Sequence, residues 1–125
     1  MDLLPDCDLL VVNQGEADAL MAATGKAPET LGVTHLVITA GAKGATYFGG
    51  DKRVHQNAFQ VSAVDTTGAG DCFFGFFLAE LAGDTPVEAA LCIASAAAAL
   101  QVTKPGAAGA IPARKDVLAF IESKR

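Results

Sequence analysis

The chain has 125 residues, the length of one domain or of part of a larger one. Hydrophobic residues make up 51% of it and charged residues 18%, a composition that excludes a disordered chain. The net charge of −5 and the lack of a basic patch or basic helix argue against nucleic acid or an anionic membrane as a general partner.

Neither a secretion signal nor a membrane span is evident in the sequence. The N-terminal stretch MDLLPDCDLL has no basic residues ahead of its apolar ones. The longest apolar stretch, AALCIASAAAALQV, has about 14 residues and is too short to cross a bilayer. The three cysteines, Cys7, Cys72 and Cys92, lack C-x-x-C spacing and are expected to be free thiols in a reducing compartment. The sequence therefore predicts a cytoplasmic protein.

In chain order, the first predicted elements are a strand, a helix and a second strand. The apolar run DLLVV (8–12) is typical of a buried parallel strand. NQGEADALMAATG follows with apolar residues at helical spacing, and Gly25 is placed to end that helix in the left-handed conformation. THLVITA (34–40) predicts the second strand, so the three elements form a parallel crossover unit.

Glycine-punctuated sequence follows the second strand. Short alternating runs at 45–48, 53–55 and 58–62 predict antiparallel strands, with a turn at Gly49-Gly50-Asp51. Two or three parallel strands would make a narrow sheet with an uncovered apolar edge, which indicates part of a larger fold.

Three helices are predicted in the second half of the chain, at about 71–82, at about 86–102 and in the segment ARKDVLAFIESK. Thr85 is predicted to cap the middle helix, with Pro86 at its first position. That helix is rich in alanine, which allows other elements to approach it closely. The phenylalanines of the first of these helices are expected in the core, and Gly75 is expected to allow close helix packing.

The heptapeptide DTTGAGD (65–71) places two glycines between a strand and an apolar helix. Backbone N–H groups in such a turn can point at one spot and, with the positive end of the helix dipole, form an anion pocket. Asp71, in the first helical turn, would be ionised and could accept a proton beside that pocket. For a generic G-x-G-D pattern the alternative is a tight turn in which the aspartate is a helix-favouring charge.

Two further motifs have structural alternatives. Asn13 and Glu16 have the spacing of a capping box at a strand–helix junction. The segment TAGAKG (39–44) also fits an ordinary turn. The side chains of His35, His55 and Tyr47 have no matching constellation and are expected to be strand residues.

The segment VSAVDTTGAGDCFFGFF resembles the signature of the ribokinase-like, or PfkB-type, carbohydrate kinases. VVNQGEA resembles the N-x-x-E motif of that family, VITAGAKGA its nucleotide-side turn, and AAAALQVTKPGAAGAIP its final nucleotide and cation loop. The resemblance covers essentially all of the chain. It implies a ribokinase-like three-layer αβα fold, of which residues 1–125 form the C-terminal nucleotide-binding and catalytic portion, with parallel strands, a β-hairpin region and flanking helices. The sugar-binding N-terminal half of the family and its lid have no counterpart here.

The same resemblance implies roles for individual residues. Asp71 resembles the base that deprotonates a sugar hydroxyl, and the amides of Gly68, Ala69 and Gly70 would stabilise the transferring phosphoryl group. The residues implied to bind the nucleotide are Asn13, Glu16, Thr39, Gly41, Ala42, Gly44 and Ser95.

Two metal ions are implied by the resemblance. Glu16 would organise Mg²⁺ through its water ligands. A monovalent cation, K⁺, would be held by a strand-end aspartate and by backbone carbonyls, which suit a large hard cation. The residues implied for K⁺ are Asp65, Thr67, Gln101, Lys104 and Gly106. Ala110 stands where some members of the family add a hydroxyl ligand.

Different functions remain open from the sequence. In the first, the chain is the ATP-dependent catalytic portion of a sugar kinase, with ATP, Mg²⁺ and K⁺ as cofactors and a small sugar as substrate. Ribose is favoured because the motifs resemble ribokinases more than fructose or adenosine kinases. In the second, the chain binds nucleotide without activity of its own. In the third, it is a structural fragment that forms a homo-oligomer through its exposed sheet edge.

Overall fold

The structure, a computed structural model, describes residues 9–25, 34–49, 52–62, 64, 68–103 and 111–124. The chain divides into two units, Met1–Asn57 and Ala58–Arg125. Each unit is described by itself below.

In its described residues, the first unit is a four-stranded sheet with one helix packed on its first two strands. Strands β1 (Leu9–Asn13) and β2 (His35–Thr39) are parallel neighbours, and helix α1 (Gln14–Thr24) lies between them in the chain. Strands β3 (Ala45–Gly49) and β4 (Lys52–Gln56) extend the sheet in antiparallel pairing, in the order β1-β2-β3-β4. The predicted crossover unit and the predicted hairpin are both confirmed.

Strand register explains how the first unit forms its core. Leu10 lies opposite Leu36, and Leu36 lies opposite Phe48 on the next strand. Because side chains alternate along a strand, these apolar residues share one face of the sheet. On that face Val12, Leu36 and Ala17 of α1 are buried together.

Gly25 ends α1 as the sequence predicts. Its φ of 72° is in the left-handed region, and its N–H donates to the carbonyl of Met21 at 2.8 Å. A left-handed glycine of this kind closes the last helical turn without the steric cost that a side chain would add.

The second unit contains three helices in its described residues: α2 (Ala69–Ala82), α3 (Val87–Val102) and α4 (Arg114–Ser123). Helix α3 packs against both of the others. Four of its alanines, Ala90, Ala94, Ala96 and Ala97, are fully buried and allow this close approach. The core between the helices consists of Cys72, Ile93, Ala96, Ala97, Val117 and Ile121. None of the helices in the described ranges is long and apolar enough to cross a membrane.

The start of α3 differs from the prediction by one residue. Pro86, with φ −56° and ψ 146°, is the cap position, and no side chain caps the helix. The hydroxyl of Thr85 donates instead to Oε1 of Glu80 at 2.9 Å. Glu80 is a buried carboxylate on α2, so it competes successfully for the hydroxyl that the sequence pattern assigns to the cap.

The strand predicted at 58–62 is absent, because these described residues have no strand conformation. The Phe59 ring packs on the Phe120 ring of α4, with centroids 5.4 Å apart, and the ammonium of Lys124 lies 3.5 Å from the carbonyl of Gln60. The alternating apolar pattern of this segment therefore reflects packing on a helix rather than sheet pairing.

Candidate functional site

The glycine motif leads into α2 through a left-handed residue. Gly68 has φ 79° and ψ 2° and occupies the cap position, so the helix begins at Ala69, two residues before the predicted start. No side chain among the described residues caps this end. The first N–H groups of any α-helix lack partners within the helix and give its N-terminus partial positive charge. The amides of Ala69 and Gly70 are in this first turn.

Asp71 is also in the first turn of α2, and its side chain is exposed. It lines a cavity of about 490 Å³ together with Gly68 and residues along one face of α2. The remaining walls come from the end of α3 and from the segment just before α4. The complete lining is Gly68, Asp71, Cys72, Gly75, Phe76, Ala79, Gln101 and Ile111. We call this cavity the α2 pocket.

The α2 pocket brings together three of the residues implied by the family resemblance: Gly68, Asp71 and Gln101. Gln101 is 2% exposed, and its backbone carbonyl accepts the N–H of Thr103. The next residue, Val102, accepts a hydrogen bond from the N–H of Val64 at 2.6 Å. This bond holds the segment that enters the glycine motif against the end of α3.

Besides Ile111, four pocket residues on α2 were not anticipated as site residues: Cys72, Gly75, Phe76 and Ala79. They follow Asp71 at the helical spacing of one face, and that spacing was the available signal. Gly75 does not serve close helix packing as predicted, because it is exposed and a Cβ atom there would meet nothing within 4 Å. The Cys72 thiol in the pocket wall is protonated at neutral pH, because burial raises its pKa to about 11.

The phenylalanines of α2 divide between two environments. Phe73 and Phe77 are buried, with ring centroids 6.1 Å apart, as predicted for core residues. Phe74 is 39% exposed, so the expectation that all of them lie in the core is wrong for this residue. The helix presents more apolar positions than a single buried face can cover.

In the first unit, Asn13 and Glu16 form the capping box of α1. Oδ1 of Asn13 accepts the N–H of Glu16 at 2.7 Å, and Oε1 of Glu16 accepts the N–H of Asn13 at 2.8 Å. Oε2 of Glu16 takes no part in this box. The structural alternative for the N-x-x-E motif is therefore confirmed, and it leaves an exposed carboxylate oxygen at the end of β1.

The TAGAKG segment forms the connection between β2 and β3. A 3₁₀ turn spans Gly41–Lys43, and the carbonyl of Gly44 accepts the N–H of Ala40 at 2.8 Å. Gly41 and Gly44 have φ values of 54° and 94°, which a residue with a side chain rarely adopts. Thr39 ends β2, with its hydroxyl 3.4 Å from the carbonyl of Val12, and Ala42 lies within the turn.

Ser95 lies on α3, where its hydroxyl is buried and has no hydrogen-bond partner among the described residues. It is not part of the α2 pocket lining. Four of the residues implied for K⁺ lie outside the described residues: Asp65, Thr67, Lys104 and Gly106. Ala110 lies outside them as well. The K⁺ site therefore remains a prediction. Within the described ranges, no group of three or more His, Cys, Asp or Glu side chains could hold a metal ion.

Residues 1–114 match the family described as pfkB family carbohydrate kinase. The chain is 36% identical over 131 residues to the ribokinase of Haemophilus influenzae, an alignment that covers 97% of this chain and 43% of that protein.

Two solved structures resemble the chain over most of its length. The ribokinase of Arabidopsis thaliana, complexed with ribose and ATP, is 32% identical with a TM-score of 0.79, covering 96% of this chain and 42% of that one. A candidate ribokinase II of E. coli, in complex with ATP and Mg²⁺, is 29% identical with a TM-score of 0.84, covering 93% and 39%.

The chain therefore spans less than half of the length of the relatives that it matches. The ribokinase-like α/β fold is confirmed by these matches, and the relatives are carbohydrate kinases. The chain belongs to the pfkB family of carbohydrate kinases.

Proposed function

We propose that this chain supplies the ATP site, the anion hole and the catalytic base for phosphoryl transfer from ATP to a sugar hydroxyl. The observation that carries the proposal is the α2 pocket, where a left-handed glycine, the uncapped start of a helix and the Asp71 carboxylate line one cavity. Such a pocket offers amide donors to an anion and a proton acceptor beside them. Ribose, which the Arabidopsis relative binds with ATP, is the acceptor that we would test first.

The chemistry follows from how phosphoryl transfer is catalysed. The transferred group spreads negative charge over its oxygens, so positioning and charge stabilisation contribute more than covalent catalysis. The amides of Gly68, Ala69 and Gly70 would donate to those oxygens, and losing one such donor typically costs about 3 to 4 kcal/mol. Asp71 would take the proton of the attacking hydroxyl, which contributes roughly 10²- to 10⁴-fold in rate.

The remaining implied residues would hold the nucleotide and its metal ions. The tight turn that contains Ala42 follows Thr39, the last residue of β2. Gly41 and Gly44, which have no side chains, leave room there for a ligand to approach the backbone. The buried hydroxyl of Ser95 can hydrogen-bond a nucleoside.

Oxygen donors in the chain suit both proposed metal ions. When bound, Mg²⁺ would neutralise charge on the phosphates, and Oε2 of Glu16 is a hard oxygen donor that can hold one of its waters. For K⁺, the carbonyl of Gln101 is the one proposed ligand among the described residues. It can accept a second contact besides the N–H of Thr103, because a carbonyl oxygen has two lone pairs.

A second candidate function is nucleotide binding without transfer by this chain alone. The observation that favours it is the alignment to the Haemophilus relative, which covers only 43% of that protein. A sugar site that depends on the remaining length would then be missing, and ATP would bind without being consumed.

The test compares two aspartates at the same position of two helices. Asp71 is the third residue of α2, and Asp116 is the third residue of α4, where it is exposed. Replacing either with asparagine removes the same favourable interaction with the helix dipole. We expect Asp71→Asn to lower ADP release in the presence of ribose, Mg²⁺ and K⁺ by at least about 10²-fold, and Asp116→Asn to leave it unchanged.

Nucleotide binding is measured on the same samples. ATP at 100 times its Kd should raise the free energy of unfolding by about 2.7 kcal/mol, in the wild type and in Asp71→Asn alike. Turnover in Asp71→Asn equal to that of the wild type would refute the catalytic role. Stabilisation by ATP without turnover in the wild type would establish the second candidate function, and no stabilisation would refute both.

A further inference from the structure

Glu80 is the only acidic side chain that is buried among the residues described in the structure. Its side chain is 7% exposed and lies on α2, the helix that carries Asp71. Both of its carboxylate oxygens are hydrogen-bonded. Nε of Arg114 donates to Oε2 at 2.8 Å, and Nη2 donates to Oε1 at 3.2 Å. The hydroxyl of Thr85 donates to Oε1 at 2.9 Å.

The three residues connect separate elements of the second unit. Arg114 is the first residue of α4, and Thr85 lies in the turn between α2 and α3, where its N–H also donates to the carbonyl of Glu80 at 2.9 Å. The two parallel bonds from Arg114 fix direction as well as distance, because a guanidinium and a carboxylate are both planar. Arg114 and Thr85 also lower the pKa of Glu80 by hydrogen bonding, so the carboxylate stays charged near neutral pH.

Glu80 is buried, but the Arg114 side chain is 56% exposed. The pair therefore adds little net stability, because removing the carboxylate from water costs about as much as its attraction to a partly solvated guanidinium returns. The pair instead fixes the start of α4 in position against α2, and the start of α4 is close in the chain to the α2 pocket. Ile111, a pocket residue, is joined to Arg114 by only Pro112 and Ala113. The ring of Pro112 fixes the φ angle of this residue and so restricts the conformations of the short segment between Ile111 and Arg114. Asp71, which also lines the pocket, is on the same helix as Glu80, about 13 Å along its axis.

We propose that Glu80, Arg114 and Thr85 form a clamp that sets the width of the α2 pocket by fixing the segment 111–114 against α2. The residues act through Ile111 and the helix rather than by touching a ligand, so they are positioning residues. The consequence for nucleotide affinity rests on the proposed function of the pocket, whereas the consequence for pocket width does not.

The experiment needs a probe of pocket width that does not depend on ATP, and Cys72 provides it. Its thiol is buried in the pocket wall, and the pKa of about 11 keeps it protonated and unreactive. With Cys7→Ser and Cys92→Ala as background, the rate of reaction with a disulfide reagent reports the opening of this pocket alone. The free energy of unfolding of each variant is measured in parallel.

Two variants loosen the clamp in different ways. Arg114→Lys keeps the charge but loses the paired hydrogen bonds. The double variant Glu80→Met, Arg114→Met removes both charges while filling their volume, an exchange that is often neutral for stability. The control is Arg53→Lys on β4, an arginine that lies over the ring of Phe48 in the first unit.

We expect the double variant to label Cys72 about tenfold faster than the background chain at equal stability, since local opening becomes easier while global unfolding does not. ATP should bind it about tenfold more weakly, because small misplacements of binding groups are costly. Arg53→Lys should change neither quantity. An unchanged labelling rate in a variant as stable as the background would overturn the clamp. Faster labelling without any ATP binding, even by the wild type, would leave the clamp standing and refute the proposed function.

Discussion

At the scale of single residues, Gly49 is required by the ring of Tyr47. A Cβ atom at position 49 would lie 2.0 Å from the Tyr47 hydroxyl oxygen and 2.5 Å from the ring carbon that bears it. The ring lies along β3 over this glycine, and its hydroxyl hydrogen-bonds Nδ1 of His35 on β2 at 2.5 Å. We expect Gly49→Ala to destabilise the chain by about 1 to 3 kcal/mol, as overpacking does. The measurement is the urea midpoint, followed by the fluorescence of Tyr47.

Gly75→Ala is the control for that substitution. It also replaces a glycine with alanine, but at an open position inside a helix, where nothing lies within 4 Å of the new atom. Since glycine is a poor helix former, this variant should gain about 0.8 to 1.0 kcal/mol. If both variants shifted the midpoint in the same direction, the packing of Tyr47 over Gly49 would not be the cause.

At the scale of elements, the first turn of α1 allows two roles of Glu16 to be separated. Asn13→Ala should cost about 1 kcal/mol, because it removes the acceptor for the Glu16 amide. Glu16→Gln keeps a side-chain oxygen for the Asn13 amide, since glutamine also serves in capping boxes. We expect Glu16→Gln to unfold at nearly the wild-type urea concentration while losing the Mg²⁺-dependent part of its ATP affinity, measured by calorimetry with and without Mg²⁺.

The exposed Asp18 on the same helix offers a matched control, because Asp18→Asn removes the same charge from a residue that takes no part in the capping box. It should leave both stability and the Mg²⁺ dependence near their wild-type values. Equal loss of Mg²⁺ dependence in Asp18→Asn and Glu16→Gln would assign the effect to net charge and remove Glu16 from the metal site.

Elements that depend on local chemistry could be predicted from the sequence. The capping box of Asn13 and Glu16, the left-handed Gly25 and the β3–β4 hairpin all follow from side chains within a few residues of one another. The prediction was wrong where a partner on another element decides. Thr85 bonds Glu80 of α2 rather than capping α3, and Phe59 packs on Phe120 of α4 rather than in a strand. The pattern within one predicted element does not identify such a partner.

The candidate site shows the same division. The helix start at Gly68 and the place of Asp71 in its first turn follow from the glycine motif itself. The pocket walls at Gln101 and Ile111 come from segments that are distant in the chain, and the Glu80–Arg114 pair joins residues 34 positions apart. Periodicity of a single helix indicates which residues share a face, but it does not say what faces them.

At the scale of the whole molecule, the free energy of unfolding is expected to fall on both sides of neutral pH because of three titrating groups. Burial lowers the pKa of His35 below its ordinary 6.5, so its contribution is lost as the pH falls below that value. The pKa of Glu80 is lowered from 4.5, chiefly by the hydrogen bonds from Arg114, so its contribution disappears at still lower pH. Cys72 acts in the opposite direction, because its folded pKa of about 11 exceeds the unfolded value of 9.0.

The first unit should therefore lose stability as the pH falls, through His35, whereas the second unit should lose it at alkaline pH, through Cys72, and again at still lower pH, through Glu80. His35 is in the first unit, which also contains Tyr47, the only tyrosine of a chain without tryptophan. Cys72 and Glu80 are in the helical second unit. We expect the urea midpoint followed by Tyr47 fluorescence to fall below pH 6.5, and the midpoint followed by helical circular dichroism to fall between pH 9 and 11.

Single variants identify the group behind each change. His35→Gln should remove the decline of the fluorescence midpoint below pH 6.5, whereas His55→Gln, an exposed histidine of β4, should retain it. Cys72→Ala should flatten the alkaline decline, which for a shift of this size amounts to about 2 to 3 kcal/mol. An alkaline decline that persists in Cys72→Ala would mean that the thiol is ionised in the folded chain as readily as in the unfolded one. The α2 pocket would then be open to water at Cys72. The pocket that the clamp is proposed to hold would be wider in solution than it is in the structure.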